Sequence, residues 1–267
     1  MLPLSVAIIT KDEADNLPRL FESLKPLNPA EIVVVDSGST DSTVQIAKDC
    51  GARVIETDWP GHVVQKNRAL EACRQPWILS LDADEPISEA LAKSLQSLFA
   101  AGEPKQDGYE ISRCTWYLGA WLRHTWYPEW RLRLVRQGKG QWRGFNPHDR
   151  LEVKGRVGRL EGDILHYSYK DVEDHFSRSV AYAKISAHSL YARGKPFRWH
   201  KIVIAPAARF IRLLIIKQGW RDGWRGWIIA WSSMFSGFLK YAFLYEIERT
   251  SRHQHQTTQN ANRSEDK

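Results

Sequence analysis

The sequence predicts an α/β fold with a mostly parallel sheet, followed by a helical C-terminal extension. Three observations carry this expectation. Apolar strand-like runs alternate with amphipathic helical runs over the first hundred residues. Of 267 residues, 43% are hydrophobic and 26% charged, which suits a packed core and excludes wholesale disorder. Positive charge and tryptophan gather toward the C-terminal end, outside the alternating part.

The elements follow in order. Ser5–Thr10 (SVAIIT) is a β-rich apolar run. No basic leader precedes it and it stops at Lys11 and Asp12, so it reads as a core strand rather than a secretory signal. Asp15–Leu24 places Leu17, Leu20, Phe21 and Leu24 at helical spacing. Glu31–Asp36 (EIVVVD) is a second strand, and Thr40–Cys50 a helix that the Ser-Thr-Asp-Ser cluster can cap. Ala52–Glu56 is a third strand, Val63–Cys73 a helix, Trp77–Leu81 a fourth strand, and Ser88–Ala101 a helix capped by Ser88. Continuous apolar strands separated by helices imply a parallel sheet covered on both faces. Ligands of such sheets bind at the carboxyl ends of the strands, where Thr10, Asp36 and Asp82 fall. After Gly108 the alternation lapses into short strand-like runs, Gly108–Arg113, Leu132–Val135 and Arg150–Val153. Asp171–Ala192 reads as a long helix. The chain is thus divided into a domain over 1–192, with halves at about 1–105 and 106–192, a basic amphipathic helical extension over 193–252, and a polar, disordered tail over 253–267.

The net charge is +7 and unevenly spread. Between Arg193 and Arg252 stand twelve Lys and Arg against three acids, a surplus of nine, so the rest of the chain sums to −2. Five tryptophans lie between Trp199 and Trp231 and five between Trp116 and Trp142. A basic, Trp-rich, apolar segment suits nucleic acid or an anionic membrane surface. Cys50, Cys73 and Cys114 are scattered and odd in number, which excludes a disulfide scaffold and a cysteine zinc site and fits a reducing compartment.

Four runs carry chemistry. Leu-Asp-Ala-Asp-Glu at 81–85 follows the fourth strand, and its Asp82 and Asp84 can face a hard cation such as Mg²⁺ or Mn²⁺. The alternative is a solvated acidic turn, against which the strand-end position weighs. Val-Val-Val-Asp-Ser-Gly-Ser-Thr-Asp at 33–41 ends a strand in Asp36, a carboxylate able to accept from a base N–H. Capping accounts for Ser39, Thr40 and Asp41 but leaves Asp36 unexplained. Ile-Ile-Thr-Lys-Asp-Glu-Ala at 8–14 also runs from strand into polar residues. Gly-His-Val-Val-Gln-Lys-Asn-Arg-Ala at 61–69 sets Lys66 and Arg68 near a helix start, facing either phosphate or solvent.

In their order and spacing these runs resemble those of family 2 glycosyltransferases. The further run Gly162-Asp-Ile-Leu-His-Tyr-Ser-Tyr-Lys-Asp171 and the basic apolar end resemble the lipopolysaccharide and lipooligosaccharide core β-1,4-glucosyltransferase subgroup. The resemblance implies a nucleotide-sugar-binding domain of the GT-A type, a UDP-sugar donor and a Mg²⁺ or Mn²⁺ cofactor. It implies that Thr10 and Glu13 line the nucleotide site, that Asp36 accepts from uracil, and that Lys66 lies near the nucleotide. Asp82 would meet the ribose or metal side, and Asp84 the divalent ion. Many relatives carry Asn where this chain has Asp12, which leaves the role of Asp12 open.

A transferase must also deprotonate its acceptor hydroxyl. Relatives carry a His-Glu pair where this chain has Gly144-Phe-Asn-Pro-His-Asp149, so the resemblance makes Asp149 the base and His148 its neighbour. The base is one methylene shorter here than in those relatives; the alternative to the base role is that Asp149 pairs with Arg150 or Arg143. Attack from the face opposite the leaving diphosphate would turn an α-linked donor into a β-glycoside. His166 is a further candidate for metal or diphosphate, with a structural hydrogen-bonding role as the alternative. Trp116, Tyr117, Trp121, Trp126, Tyr127 and Trp130 suit sugar stacking or a core. Arg131, Arg133, Arg136 and Arg143 suit an acceptor rich in phosphate or carboxylate.

Gly226–Phe243 approaches the length of a membrane span but contains Ser232, Ser233, Ser236 and Lys240. Basic residues among Trp and aliphatics fit helices lying in an interface. The expectation is a cytoplasmic enzyme attached peripherally to the inner face of the bacterial inner membrane, where a glycolipid acceptor is presented; a soluble helical subdomain is the alternative. Another polysaccharide or a polyprenyl phosphate would serve as acceptor in a second reading. Nucleic acid is not expected as a partner, because it leaves Asp36, Asp82 and Asp84 unexplained.

Overall fold

The computed structural model describes residues 1–144 and 149–265, with side chains as far as Ser251. The chain forms two compact units, Met1–Trp116 with Trp126–Ser168, and Tyr117–Thr125 with Tyr169–Lys267.

The first unit opens with the alternation read from sequence: β1 (Leu2–Thr10), α1 (Leu17–Leu24), β2 (Pro29–Asp36), α2 (Thr43–Asp49), β3 (Arg53–Glu56), α3 (His62–Ala72), β4 (Trp77–Asp82) and α4 (Glu89–Ala100). Then come β5 (Gly108–Tyr117), β6 (Ala120–Trp121, in the second unit), β7 (Glu129–Arg136), β8 (Gly140–Arg143), β9 (Arg150–Val153) and β10 (Val157–His166). The strands of the main sheet run in the order β10-β5-β7-β4-β1-β2-β3, and β8 pairs with β9 separately. β1 is parallel to β2 and β4, with Thr10 opposite Asp36 and Ile9 opposite Asp82. That register brings the strand-end polar residues to one edge of the sheet.

Both faces are covered. Leu4, Val6 and Ile8 of β1 pack with Leu17, Leu20 and Leu24 of α1 and Leu91 and Leu95 of α4. Ala7 and Ile9 point the other way, with Ala69 and Leu70 of α3 and Trp142 and Leu151. Strand alternation thus feeds two cores, and each buried aliphatic contributes about 1.5–3 kcal/mol. Ser88 caps α4, accepting from the Leu91 N–H at 3.2 Å.

The sequence reads as a mostly parallel sheet; the sheet is mixed. β7 runs antiparallel to both of its neighbours, β4 and β5. The reason lies after α4, where no helix separates β5 from β7, so no crossover connection restores the parallel direction.

In the second unit α5 (Val172–Ala192) precedes α6 (Lys201–Ile211), a π-helical turn over Arg212–Ile216 and α7 (Trp224–Glu265). α7 packs against both α5 and α6, which is why this unit begins at Tyr169 rather than at 193. The expected disordered tail over 253–267 is helical in its backbone as far as Glu265; the run contains neither Gly nor Pro to stop α7. Asp222 accepts from the N–H groups of Arg123, His124 and Thr125 and from the Thr125 hydroxyl at 2.6 Å, fixing that loop. A Cβ at Gly226 would meet the Gly219 carbonyl at 1.8 Å, so only glycine lets α7 start there. Among the described residues, no helix is long and apolar enough to cross a membrane.

His175 of α5 is buried, its Nδ1 2.6 Å from the Tyr117 hydroxyl and its Nε2 3.1 Å from the Ser232 hydroxyl. Burial pushes its pKa down to about 4 from 6.5, outweighing the nearby charge of Asp174. The folded state therefore holds His175 neutral, and stability is lost as pH falls from 6.5 toward 4. Thermal unfolding across that window should show a steeper loss for wild type than for His175→Gln, whose side chain does not titrate. Parallel profiles would contradict this.

Candidate functional site

The carboxyl edge of β1, β2 and β4 is held by side chains that tie one loop to the next. Asp36 is 1% exposed. Its Oδ1 accepts from the hydroxyls of Thr10 at 2.8 Å and Ser39 at 2.5 Å. Its Oδ2 accepts from the N–H groups of Gly38 at 3.0 Å and Ser39 at 2.8 Å. Gly38 adopts φ +77°, which closes this turn and which a side chain would strain. Asp12 has a definite role: its Oδ1 accepts from the Thr40 N–H at 2.7 Å, and its own N–H donates to the Ser39 hydroxyl at 2.8 Å. Ser39 and Thr40 thus stitch the β1 and β2 loops together rather than cap α2; Asp41 receives the Thr43 N–H at 3.0 Å instead. The Glu13 N–H donates to the Thr43 hydroxyl at 2.7 Å. Burial pushes the Glu13 carboxyl above its ordinary range, against the hydrogen bond from Asn16 and with the charges of Asp84 and Asp82.

Beside this edge runs an unbroken chain of alternating charges. Asp149 pairs with Lys66 at 3.1 Å, and Lys66 with Asp82 at 3.0 Å. Arg133 reaches Asp82 at 3.3 Å and Glu85 at 2.7 Å. Arg113 joins Glu85 at 3.3 Å to Glu129 at 2.7 Å, and Arg131 closes the series on Glu129. Glu85 is 0% exposed and also accepts from the Asp82 N–H at 3.1 Å. Burial disfavours the Asp82 carboxylate, but Lys66 and Arg133 outweigh it and hold the group well below the usual carboxylate range. Burial likewise opposes charge on Arg113, while Glu85 and Glu129 raise its pKa. Trp142 lies over this chain, its ring 4.2 Å from the Lys66 ammonium. Asn67 fixes Trp142 with two bonds to its backbone, accepting from its N–H at 2.8 Å and donating to its carbonyl at 3.0 Å.

Asp84 points elsewhere, with Oδ2 3.4 Å from His166 Nε2. The Tyr167 N–H donates to the Asp84 carbonyl at 3.1 Å, holding β10 to this turn. A carboxylate oxygen and an imidazole nitrogen at that distance could face one cation together. One oxygen and one nitrogen fit Mg²⁺ or Mn²⁺ when phosphate oxygens and water complete the shell. Among the described residues, no group of three or more His, Cys, Asp or Glu converges as a metal site, so the protein offers a pair and not a cage.

The structure therefore brings Thr10 together with Asp36, Lys66 with Asp82 and Asp149, and Asp84 with His166. His148 lies outside the described residues. Asp82 is bound to cations of the protein on both oxygens, which leaves Asp84 and His166 as the pair that could hold a metal. Asp149 pairs with neither Arg143 nor Arg150, both of which turn to Glu152. Of the arginines read as meeting an anionic acceptor, Arg133 is buried on Glu85, Arg131 pairs with Glu129 and Arg136 with Glu103. Sequence reasoning passed over Glu85, Arg113 and His62. His62 stands one turn before Lys66 on α3; burial and then Lys66 lower its pKa, while Asp149 and Asp82 oppose this. The i,i+4 spacing of His62 and Lys66 was the available signal. Nothing local marks Glu85 as the acid that two arginines would reach.

The Glycosyl transferase family 2 profile matches residues 5–154. The lipopolysaccharide core biosynthesis glycosyltransferase LpsC of Rhizobium meliloti is 34% identical over 253 residues, covering 92% of this chain and 93% of its own. An uncharacterized glycosyltransferase of Rickettsia typhi, RT0209, is 29% identical over 265 residues, covering 94% and 90%. Among solved structures, S. aureus TarS 1-349 in complex with UDP is similar at a TM-score of 0.49 and 15% identity, covering 94% of this chain and 91% of that one.

Removing one charge from a buried series leaves its partners uncompensated. Glu85→Gln should lower unfolding stability by about 3–5 kcal/mol in urea denaturation. A loss within the scatter of surface substitutions would mean that Arg113 and Arg133 do not depend on it.

Proposed function

The chain belongs to glycosyl transferase family 2, and from that premise we propose that it moves glucose from UDP-glucose to a hydroxyl of the lipopolysaccharide or lipooligosaccharide inner core, with inversion. One observation carries the chemistry. Asp149 stands 3.1 Å from Lys66, which is itself bonded to the strand-end Asp82, so a carboxylate faces the sheet edge where ligands of such folds bind. The likeness to LpsC over nearly the whole chain supports the acceptor class.

The residues take these roles. Asp36 and Thr10 meet the uracil, with Glu13 adjoining. Lys66 and Asp82 serve the ribose and diphosphate side. Asp84 and His166 hold Mg²⁺ or Mn²⁺, which when bound neutralises charge on the departing diphosphate. Asp149 takes the proton of the acceptor hydroxyl as its oxygen bonds to the anomeric carbon. The bond from that carbon to the phosphate oxygen breaks and its electron pair leaves with UDP. Attack opposite the leaving group gives a β-glycoside, and no covalent enzyme intermediate forms. The Lys66 ammonium keeps Asp149 in place before the acceptor arrives.

The second unit bears on location. Trp224, Trp227 and Trp231 are each about half exposed along one side of α7, and Ile215 and Ile216 of the π-helical turn are 62% and 72% exposed. Arg212, Lys217, Arg221 and Arg225 lie among them, while the one nearby acid, Asp222, is occupied by the 123–125 loop. Tryptophan and aliphatic side chains among cations suit the anionic interface of a bilayer, which supports the reading that the protein attaches peripherally to the cytoplasmic face of the inner membrane.

Transfer from UDP-[¹⁴C]glucose to core-truncated lipooligosaccharide tests the chemistry. Asp149→Asn should lower kcat by about 10²–10⁴-fold while UDP still binds. Asp84→Asn should remove the stimulation of UDP binding by Mn²⁺. Wild-type transfer by Asp149→Asn would overturn the base assignment. For the location, full-length protein should float with phosphatidylglycerol-containing vesicles, and Trp224→Ser with Trp227→Ser should reduce the bound fraction. A wild-type chain that stays with the soluble fraction would refute attachment.

A further inference from the structure

The second unit gathers cations where α6 and α7 meet. The two helices approach closely at Pro206 and Gly237: a Cβ on Gly237 would lie 3.4 Å from the Pro206 Cα and 3.5 Å from the Arg209 Cδ. Gly237 thus lets the carbon stem of Arg209 lie against α7. One turn further along α7 stands Lys240, half-buried, its ammonium 4.5 Å from the centre of the Tyr241 ring. Burial, and then the positive charges of Arg209 and Lys201, push the Lys240 pKa below its ordinary value, and no acid acts against them. Among the described residues, Lys201, Arg209 and Lys240 form no ion pair. Two acids of this unit are engaged elsewhere: Asp222 holds the 123–125 loop, and Glu248 accepts from the Phe197 N–H. Like charges drawn together, one of them partly desolvated, cost free energy until an anion meets them. Val203 and Ile204, on α6 between Lys201 and Arg209, are exposed.

We propose that Lys201, Arg209 and Lys240 form a binding site for a phosphate monoester, carried by a lipid headgroup or free in solution as inorganic phosphate. Such a phosphate presents three terminal oxygens and roughly two negative charges at neutral pH, more of both than a diester offers. Cations from two helices match it in charge and in the number of donors. The exposed Val203 and Ile204 suit the chains that a lipid would bring with its headgroup. None of these residues belongs to the tryptophans and cations read above as meeting the bilayer, and the site does not rest on the transferase chemistry. To the attachment reading it adds recognition of one headgroup chemistry.

Two double variants of equal charge separate a site from a merely basic surface. Lys201→Gln with Arg209→Gln removes two cluster charges at exposed positions and keeps side-chain carbons along Gly237. Arg193→Gln with Lys195→Gln removes the same charge at exposed positions outside the cluster. Full-length protein is titrated calorimetrically with inorganic phosphate, with sodium chloride holding the ionic strength constant. It is also sedimented with phosphatidylcholine vesicles containing phosphatidic acid, a monoester, or phosphatidylglycerol, a diester, at matched surface potential. The cluster pair should weaken monoester binding about tenfold more than the control pair does. If the headgroup is the source, wild type should prefer phosphatidic acid to phosphatidylglycerol, and the cluster pair should lose that preference. If free phosphate is the source, calorimetry should show binding without any such preference. Lys240→Met removes a half-buried cation that has no ion pair, so it should lower affinity for the same source while its urea midpoint equals or exceeds that of wild type. Equal losses in the two pairs, no binding from either source, or a destabilised Lys240→Met would overturn the proposal. A wild type that binds phosphate but no vesicle would leave the site standing and overturn the attachment reading.

Discussion

The pairing of Asp82 with Lys66 and Arg133 is the constraint on which the first unit's site depends. Asp82 ends β4, Lys66 comes from α3, and Arg133 from β7. Three elements distant in sequence therefore converge on one carboxylate. Isolated, none of these charges would survive burial; ionisation there requires a close partner of opposite sign and the remaining lone pairs to be bonded. Each member has a partner of opposite sign in the next, and Asp149 ends the series on Lys66. The arrangement is weak evidence of net stability, since desolvation offsets much of the attraction. It is stronger evidence of specificity, because a slip of any one element would strand a buried charge.

The mixed sheet is what permits this series. With β7 antiparallel to β5, Arg113 falls directly opposite Glu129, and alternation along β7 then puts Arg131 and Arg133 on the same face as Glu129. A parallel β7 would reverse that order and carry Arg133 away from the carboxyl end of β4. The departure from a parallel sheet is therefore tied to the site and not incidental to it. The neighbouring edge works by hydrogen bonds instead. Asp12 and Asp36 hold the loops after β1 and β2 against each other, so a pocket rim made of two turns behaves as one piece.

This division explains what was legible in the sequence. β1 to β4 and α1 to α4 each announce themselves by local periodicity, and their strand ends put Thr10, Asp36 and Asp82 where they are found. The direction of β7 is decided by pairing between residues far apart, which no local pattern encodes. β10 was missed because its sequence, VGRLEGDILH, mixes charge and glycine, and its pairing with β5 shifts register between Arg159 and Asp163. Asp149 was reached through resemblance alone. Its partner Lys66 is legible from the residues only as a cation near a helix start, and Arg133 reads as a contact for an acceptor rich in phosphate or carboxylate. Alternation along a strand shows that Arg131 and Arg133 share a face but not that Glu85 waits beneath it. The polar end of α7 illustrates the opposite error, since composition alone does not stop a helix that contains no breaker.

The distribution of charge also bears on how an acidic glycolipid would be handled. The chain's positive surplus lies between Arg193 and Arg252, in the second unit, and the first unit's series is balanced. If the reacting ring were bound through its own phosphate or carboxylate, an uncompensated cation would be needed beside Asp149, and Lys66 and Arg133 are already engaged.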